Sequence, residues 1–156
     1  MRLKSYWTLP LVAAALSAQM APTLTVAPNP TVKAAKGGEA TITIKASLPA
    51  GYHANSNKPT YSYLIPLTLT WKSGPLEMTS VTYPDATTEH YPFQLPTDKP
   101  LSVVTGEFSI TTKFKVPAKA QSGPAAETGT LRYQACDNKA CYPPKNVPVN
   151  VTVNVE

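Results

Sequence analysis

Cys136 and Cys141 are the only two cysteines in a chain of 156 residues, with Asp137, Asn138, Lys139 and Ala140, a turn-forming run, between them. If they pair, they enclose a very small loop, and constraining about six residues is worth only about 2 kcal/mol of chain entropy. A staple made for stability would join distant strands, so the short span favours a disulfide kept for thiol exchange. A disulfide that only stiffens a surface hairpin is the other reading. The C-x4-C spacing is not C-x-x-C, and it does not set a thiol at a helix N-terminus. Exchange needs a thiolate: Arg132, Lys139 and Lys145 would lower a cysteine pKa, whereas Glu89 and Asp137 would raise it. A metal site is not expected, because the cysteines lack zinc-finger spacing and the only histidines, His53 and His90, would both have to converge on them.

The amino terminus sets the compartment. Arg2 and Lys4 form a basic start, Trp7–Leu16 is an apolar run, and small residues follow, the pattern of a Sec-type signal peptide over residues 1–18 with cleavage within about 17–21. The apolar run is about ten residues where a spanning helix needs about twenty, and no later segment approaches that, so no stable membrane insertion is expected. No cysteine stands at the cleavage region to carry a lipid. The remainder, residues 19–156, has the size of a single domain, exported to an oxidising compartment where a disulfide forms by default.

Composition narrows the function classes. The formal charge of +5 includes Arg2 and Lys4, and the lysines are scattered, with no basic run and no aromatic-basic interleaving, so nucleic acid is not an expected partner. Hydrolytic chemistry lacks its motifs: the chain has no G-x-S-x-G and no H-E-x-x-H. The oligomeric state is not encoded in any recognisable pattern. The aromatics Tyr52, Tyr61, Tyr63, Tyr91 and Phe93 suit either a sugar- or peptide-binding face or the packing and rim of a sandwich.

The elements that must position the cysteines are strands. The 17 prolines are spread along the chain and punctuate it. Between them a two-residue period of Thr, Val, Ile and Tyr predicts strands over Ala40–Leu48, Leu64–Trp71, Leu76–Tyr83, Gly106–Val116, Gly129–Ala135 and Val147–Val155. In the fourth, Phe108, Ile110, Thr112, Phe114 and Val116 share one face, and Phe108, Ile110 and Phe114 are expected in the core. The Pro- and Ala-rich lead, Ala21–Lys36, is expected as an edge strand or a partly ordered entry. Six or more short strands joined by turns predict an all-β fold, an immunoglobulin-like antiparallel β-sandwich. The cysteines would then sit at the tip or edge of a sheet, where the strand Gly129–Ala135 runs out, with Tyr142-Pro143-Pro144 as an extended exit.

Tyr133-Gln134-Ala135-Cys136, Cys141-Tyr142-Pro143-Pro144 and Val147-Pro148-Val149 resemble the YQxC…CYPP…VP pattern of the amino-terminal periplasmic domain of the thiol:disulfide interchange protein DsbD, a family that includes free-standing disulfide bond corrector domains. Gly51–Pro59 (GYHANSNKP) and Pro100–Glu107 are similar to further stretches of those relatives. The resemblance implies an immunoglobulin-like domain whose cysteine pair takes electrons from a thioredoxin-like donor and passes them to thioredoxin-like acceptors in the periplasm, without a cofactor or metal. It implies catalytic roles for Cys141, in exchange with the partner, and for Cys136, which resolves the mixed disulfide. Tyr52, His53, Tyr133 and Tyr142 are implied as neighbours of the pair, and Glu89, Tyr91 and Phe93 fall where the family places an aromatic cap loop, with Tyr91 or Phe93 as the capping ring. The chain departs from the well-known members in having four rather than five residues between the cysteines. It also lacks the membrane and thioredoxin-like domains of full-length DsbD, so if the chain is whole its donor must be a separate protein. The alternative function is an exported immunoglobulin-like binding or structural module with a purely structural hairpin disulfide.

Overall fold

The computed structural model describes residues 22–29 and 31–156; the expected signal peptide lies outside the described residues. In chain order the strands are β1 (Thr25–Val26), β2 (Val32–Ala34), β3 (Glu39–Ser47), β4 (His53–Asn55), β5 (Thr68–Trp71), β6 (Glu77–Thr82), β7 (Thr87–Glu89), β8 (Leu101–Thr105), β9 (Glu107–Lys115), β10 (Gly123–Tyr133), β11 (Ala135–Cys136) and β12 (Lys145–Val155). No helix occurs among the described residues.

The strands form three four-stranded sheets in the orders β1-β3-β9-β6, β2-β12-β10-β5 and β11-β4-β8-β7. The first two make the sandwich, because their strands carry the period that buries one face. β3 and β9 alternate exposed and buried side chains residue by residue, and their pairing sets Ala40 against Phe114 and Ile44 against Ile110. From the other sheet Leu131, Val149, Val151 and Val153 join the same core, as do Phe108, Ile110 and Phe114 from the face expected of them. Each buried Ile or Phe contributes about 1.5–3 kcal/mol of apolar transfer free energy. Thr112, fully buried on that face, accepts a hydrogen bond from Trp71 Nε1 at 3.2 Å, which satisfies the polar atom in the core.

The immunoglobulin-like β-sandwich is thus the observed fold, antiparallel throughout except for β2, which runs parallel to β12. The lead segment is an edge strand split between the two sheets, β1 beside β3 and β2 beside β12. It is fastened by Tyr133, whose hydroxyl accepts a hydrogen bond from Leu24 N at 2.8 Å and donates to Pro22 O at 3.3 Å.

The third sheet was not legible in the period-two pattern, since its strands have two to five residues. One face, with Ala54, Val104 and Ala135, adds to the sandwich core. The other buries Cys136, His53, Asn55, Leu101 and Val103. One long connection is tied to that second face by Asn55 Nδ2, which donates to Ile65 O at 3.1 Å, and to a second connection by the Tyr61 hydroxyl, which accepts from Lys99 N at 2.9 Å. Several strand limits also differ from the expected ones. β5 starts at Thr68, after Pro66, and β10 extends back to Gly123, because β12 pairs with it rung by rung from Tyr133↔Lys145 to Gly123↔Val155 despite the weak strand propensity of Gly123–Thr128.

Candidate functional site

Cys136 ends the edge strand β11 and Cys141 faces it across a tight turn, as an isolated antiparallel bridge. The two form a disulfide with their Cα atoms 4.0 Å apart. Asp137 builds the turn. Its N–H donates to Ala140 O at 2.9 Å, its Oδ1 accepts from Lys139 N at 2.7 Å and from Ala140 N at 2.8 Å, and its Oδ2 accepts from the Tyr142 hydroxyl at 2.9 Å. An Asp that bonds the backbone two and three residues ahead is a turn former for this reason. The backbone bonds from Ala140 and Lys139 and the Tyr142 hydroxyl hold the Asp137 carboxyl below the usual carboxylate range, and the same contact pushes Tyr142 up to about 12. Tyr142 N donates to Ala135 O at 2.9 Å and Gln134 Nε2 donates to Tyr142 O at 3.0 Å, which closes the base of the hairpin.

The sheet register puts four residues in one line across it. Cys141 opposes Cys136, Cys136 opposes His53 on β4, and His53 opposes Thr105 on β8. Directly opposed residues of antiparallel strands point to the same face, with Cβ atoms about 4.5–5.5 Å apart. Exposure changes sharply along the line. Cys141 is exposed, Cys136 is 1% exposed and His53 is 2% exposed.

A ring covers the buried part. Tyr91, two residues beyond β7, stacks on the His53 imidazole with centroids 3.9 Å apart at 15°, and Phe93 stacks on Tyr91 at 5.6 Å and 3°. Burial pushes the His53 pKa down to about 4, against the pull of the Asp137 charge, so the imidazole is neutral at neutral pH. Its Nε2 is buried and has no hydrogen-bond partner among the described residues. Burial, then the Glu89 carboxylate, push Tyr91 up to about 12. Tyr52 meets Tyr142 edge to face at 6.0 Å. A cavity of about 250 Å³ opens beside this cluster, between Tyr52, His53, Tyr91 and Asn138. The turn that feeds His53 into it needs Gly51, which has φ of 82° beside the Tyr52 N to Pro49 O bond of 3.2 Å.

The structure therefore gathers Cys136, Cys141, His53, Tyr91, Tyr52 and Tyr142 into one cluster, with Phe93 as its 46% exposed outer ring. Glu89 stands exposed at the end of β7, near enough to act on Tyr91 by charge alone. Tyr133 points into the sandwich core and spends its hydroxyl on the lead segment. Of the cations considered as thiolate stabilisers, Lys139 and Arg132 are exposed, and Lys145 Nζ reaches Thr23 Oγ1 at 2.9 Å. Among the described residues no group of three or more His, Cys, Asp or Glu could hold a metal ion. The turn expected over Asp137–Ala140 is the one observed, whereas the part of Gln134, which bonds the Tyr142 carbonyl, has no signal in the sequence.

Comparison with curated protein sequences finds no relative. Among solved structures, the reduced N-terminal domain of DsbD from Neisseria meningitidis is 18% identical, with TM-score 0.47 over 72% of this chain and 77% of that one. The N-terminal periplasmic domain of ScsB from Proteus mirabilis is 13% identical, with TM-score 0.51 over 74% of this chain and 42% of that one, a likeness of fold. A type I cohesin from Pseudobacteroides cellulosolvens is 12% identical, with TM-score 0.45 over 82% of this chain and 89% of that one. The sequence matches the family described as "Thiol:disulfide interchange protein DsbD, N-terminal" over residues 21–152. With that span, and with a disulfide on the edge strand of an immunoglobulin-like sandwich, the chain belongs to the DsbD N-terminal domain family of thiol-disulfide interchange domains.

Proposed function

We propose that this domain works in the periplasm and relays reducing equivalents through Cys136 and Cys141, by mixed disulfides with thioredoxin-like donor and acceptor proteins. In the charging step a donor thiolate attacks the Cys141 sulfur, and Cys136 leaves with the electron pair and takes up a proton. The donor's second thiol then displaces Cys141, which leaves the domain as a dithiol and the donor as a disulfide. In the discharging step Cys141 thiolate attacks an acceptor disulfide and Cys136 resolves the mixed disulfide. No cofactor enters either step.

The observation that carries this reading is the asymmetry of the pair: Cys141 is exposed at the sheet edge, while Cys136 is 1% exposed. An incoming sulfur meets Cys141 first, and the buried partner is protected from a second external attack. The turn supports the same reading. Asp137 holds the hairpin through three accepted hydrogen bonds and one donated from its own N–H, so its shape does not depend on the disulfide as a staple.

The test is the reduction potential of the pair, measured by equilibration in thiol redox buffers, alkylation and mass determination. A value in the range of exchange proteins, about −120 to −270 mV, is expected; one well below about −300 mV would mark a structural disulfide and return the domain to the binding-module reading. Cys136→Ser should in addition accumulate a mixed disulfide with a thioredoxin-like protein, because its exposed Cys141 can form the bond and nothing resolves it.

A further inference from the structure

We propose that His53 is the proton acceptor for Cys136 in the step that closes the disulfide. The inference rests on the exchange reading above and adds a residue to it.

A buried thiol that must become a nucleophile needs somewhere to send its proton. Cys136, at 1% exposure, has little access to water. The titratable groups around it come from three directions. Across β4 stands His53, directly opposed to Cys136 in the register, with Tyr52 beside it in sequence. From the turn comes Asp137, whose two carboxylate oxygens already accept from Lys139 N, Ala140 N and the Tyr142 hydroxyl. From beyond β7 come Tyr91, stacked on the imidazole, and the exposed Glu89. β8 contributes Thr105, which does not titrate. Tyrosine hydroxyls do not accept a proton near neutral pH. His53 alone combines placement on the same face, an uncommitted buried nitrogen and a neutral ring. An unpartnered buried nitrogen is costly to keep unless some state of the protein uses it. The dithiol supplies that state, because a Cys136 S–H has a proton to donate and the disulfide has none.

With Cys141 joined to an acceptor sulfur, the Cys136 proton passes to His53 Nε2, and the Cys136 sulfur forms its bond to the Cys141 sulfur. The bond from Cys141 to the acceptor sulfur breaks, and that sulfur leaves with the electron pair and is protonated from the imidazolium or solvent. The domain loses two electrons and the acceptor gains them. The Asp137 charge favours the imidazolium while it exists.

The reduced domain, mixed in stoichiometric amount with an aromatic disulfide whose thiolate is coloured, should release that thiolate twice, first as Cys141 attacks and then as Cys136 resolves. In His53→Phe the second release, taken relative to the first, should slow roughly tenfold at about pH 7, below the usual contribution of a positioned base because an imidazole whose pKa lies under the operating pH is a weak one. The deficit should shrink as the pH rises above about 8.5, the ordinary thiol value, where hydroxide increasingly takes the proton without help. His53→Gln, which keeps a hydrogen-bond acceptor but cannot hold the proton, should be as slow as His53→Phe. A ratio in His53→Phe equal to that of the natural protein, or a full rescue by Gln, would overturn the proposal and leave the exchange reading standing. Absence of a second release from the natural protein would remove both.

Discussion

Tyr133→Phe separates two parts that this residue could play, a member of the redox cluster and a bolt for the lead segment. The ring is fully buried, and only the hydroxyl changes. That oxygen accepts from Leu24 N at 2.8 Å and donates to Pro22 O at 3.3 Å. Leu24 itself is 1% exposed, so removal of the hydroxyl strands a buried N–H, which costs about 1–3 kcal/mol; the longer bond to Pro22 adds little. A net loss of about 2 kcal/mol is expected. Equilibrium unfolding in urea should show it as a lower midpoint at unchanged slope, and in a domain of this size the melting temperature should fall by roughly 8 °C. The reduction potential of Cys136–Cys141 should stay where it was, because the hydroxyl points away from the sulfurs into the sandwich. A loss under about 0.5 kcal/mol would refute the anchoring argument. A displaced potential with intact stability would put Tyr133 back in the redox cluster.

Ile110→Ala, at a position with no exposure between β3 and the opposing sheet, should cost about 2–5 kcal/mol in the same urea assay. Glu127 is 1% exposed with Oε1 accepting from Leu76 N at 2.7 Å and Oε2 without a partner among the described residues, and burial raises its carboxyl pKa. The folded state then holds the proton more tightly than the unfolded one, so stability falls as pH rises from the ordinary Glu value through the raised one. Glu127→Gln should remove that fall and gain on the natural protein as pH increases, read from unfolding midpoints on both sides of the window. His53 has the opposite sign: its folded pKa of about 4 lies under the ordinary 6.5, so the unfolded chain binds the extra proton and stability declines as pH drops from 6.5 to about 4. Tyr91→Ala, which uncovers the imidazole, should move the His53 titration seen by NMR back toward 6.5.

Much of the sandwich could be read from residue order because its strands are long enough for the period to speak. Ala40–Leu48 and Gly106–Val116 alternate over nine residues or more, and the observed β3 and β9 differ from them by a residue at each end. The cysteine hairpin was legible too, since an Asp-Asn pair between close cysteines encodes a local turn whose bonds span two and three residues. Short elements carry no such signal. β4, β7, β8 and β11 have two to five residues, and they hold their place by pairing with one another and by the connections laid over them. A motif match set His53, Tyr133 and Tyr91 equally beside the cysteines. Their separation needed the sheet register, which sets His53 opposite Cys136, sends Tyr133 into the other side of the fold and leaves Tyr91 to cover the imidazole. Sequence by itself determined the chemistry available, two close thiols on a β scaffold, because residue type and local turn propensity are carried by neighbours in the chain. Only the tertiary structure decided which sulfur is exposed, which is buried and which residue opposes it across the sheet, because burial and cross-strand opposition are made by residues about forty to eighty positions apart.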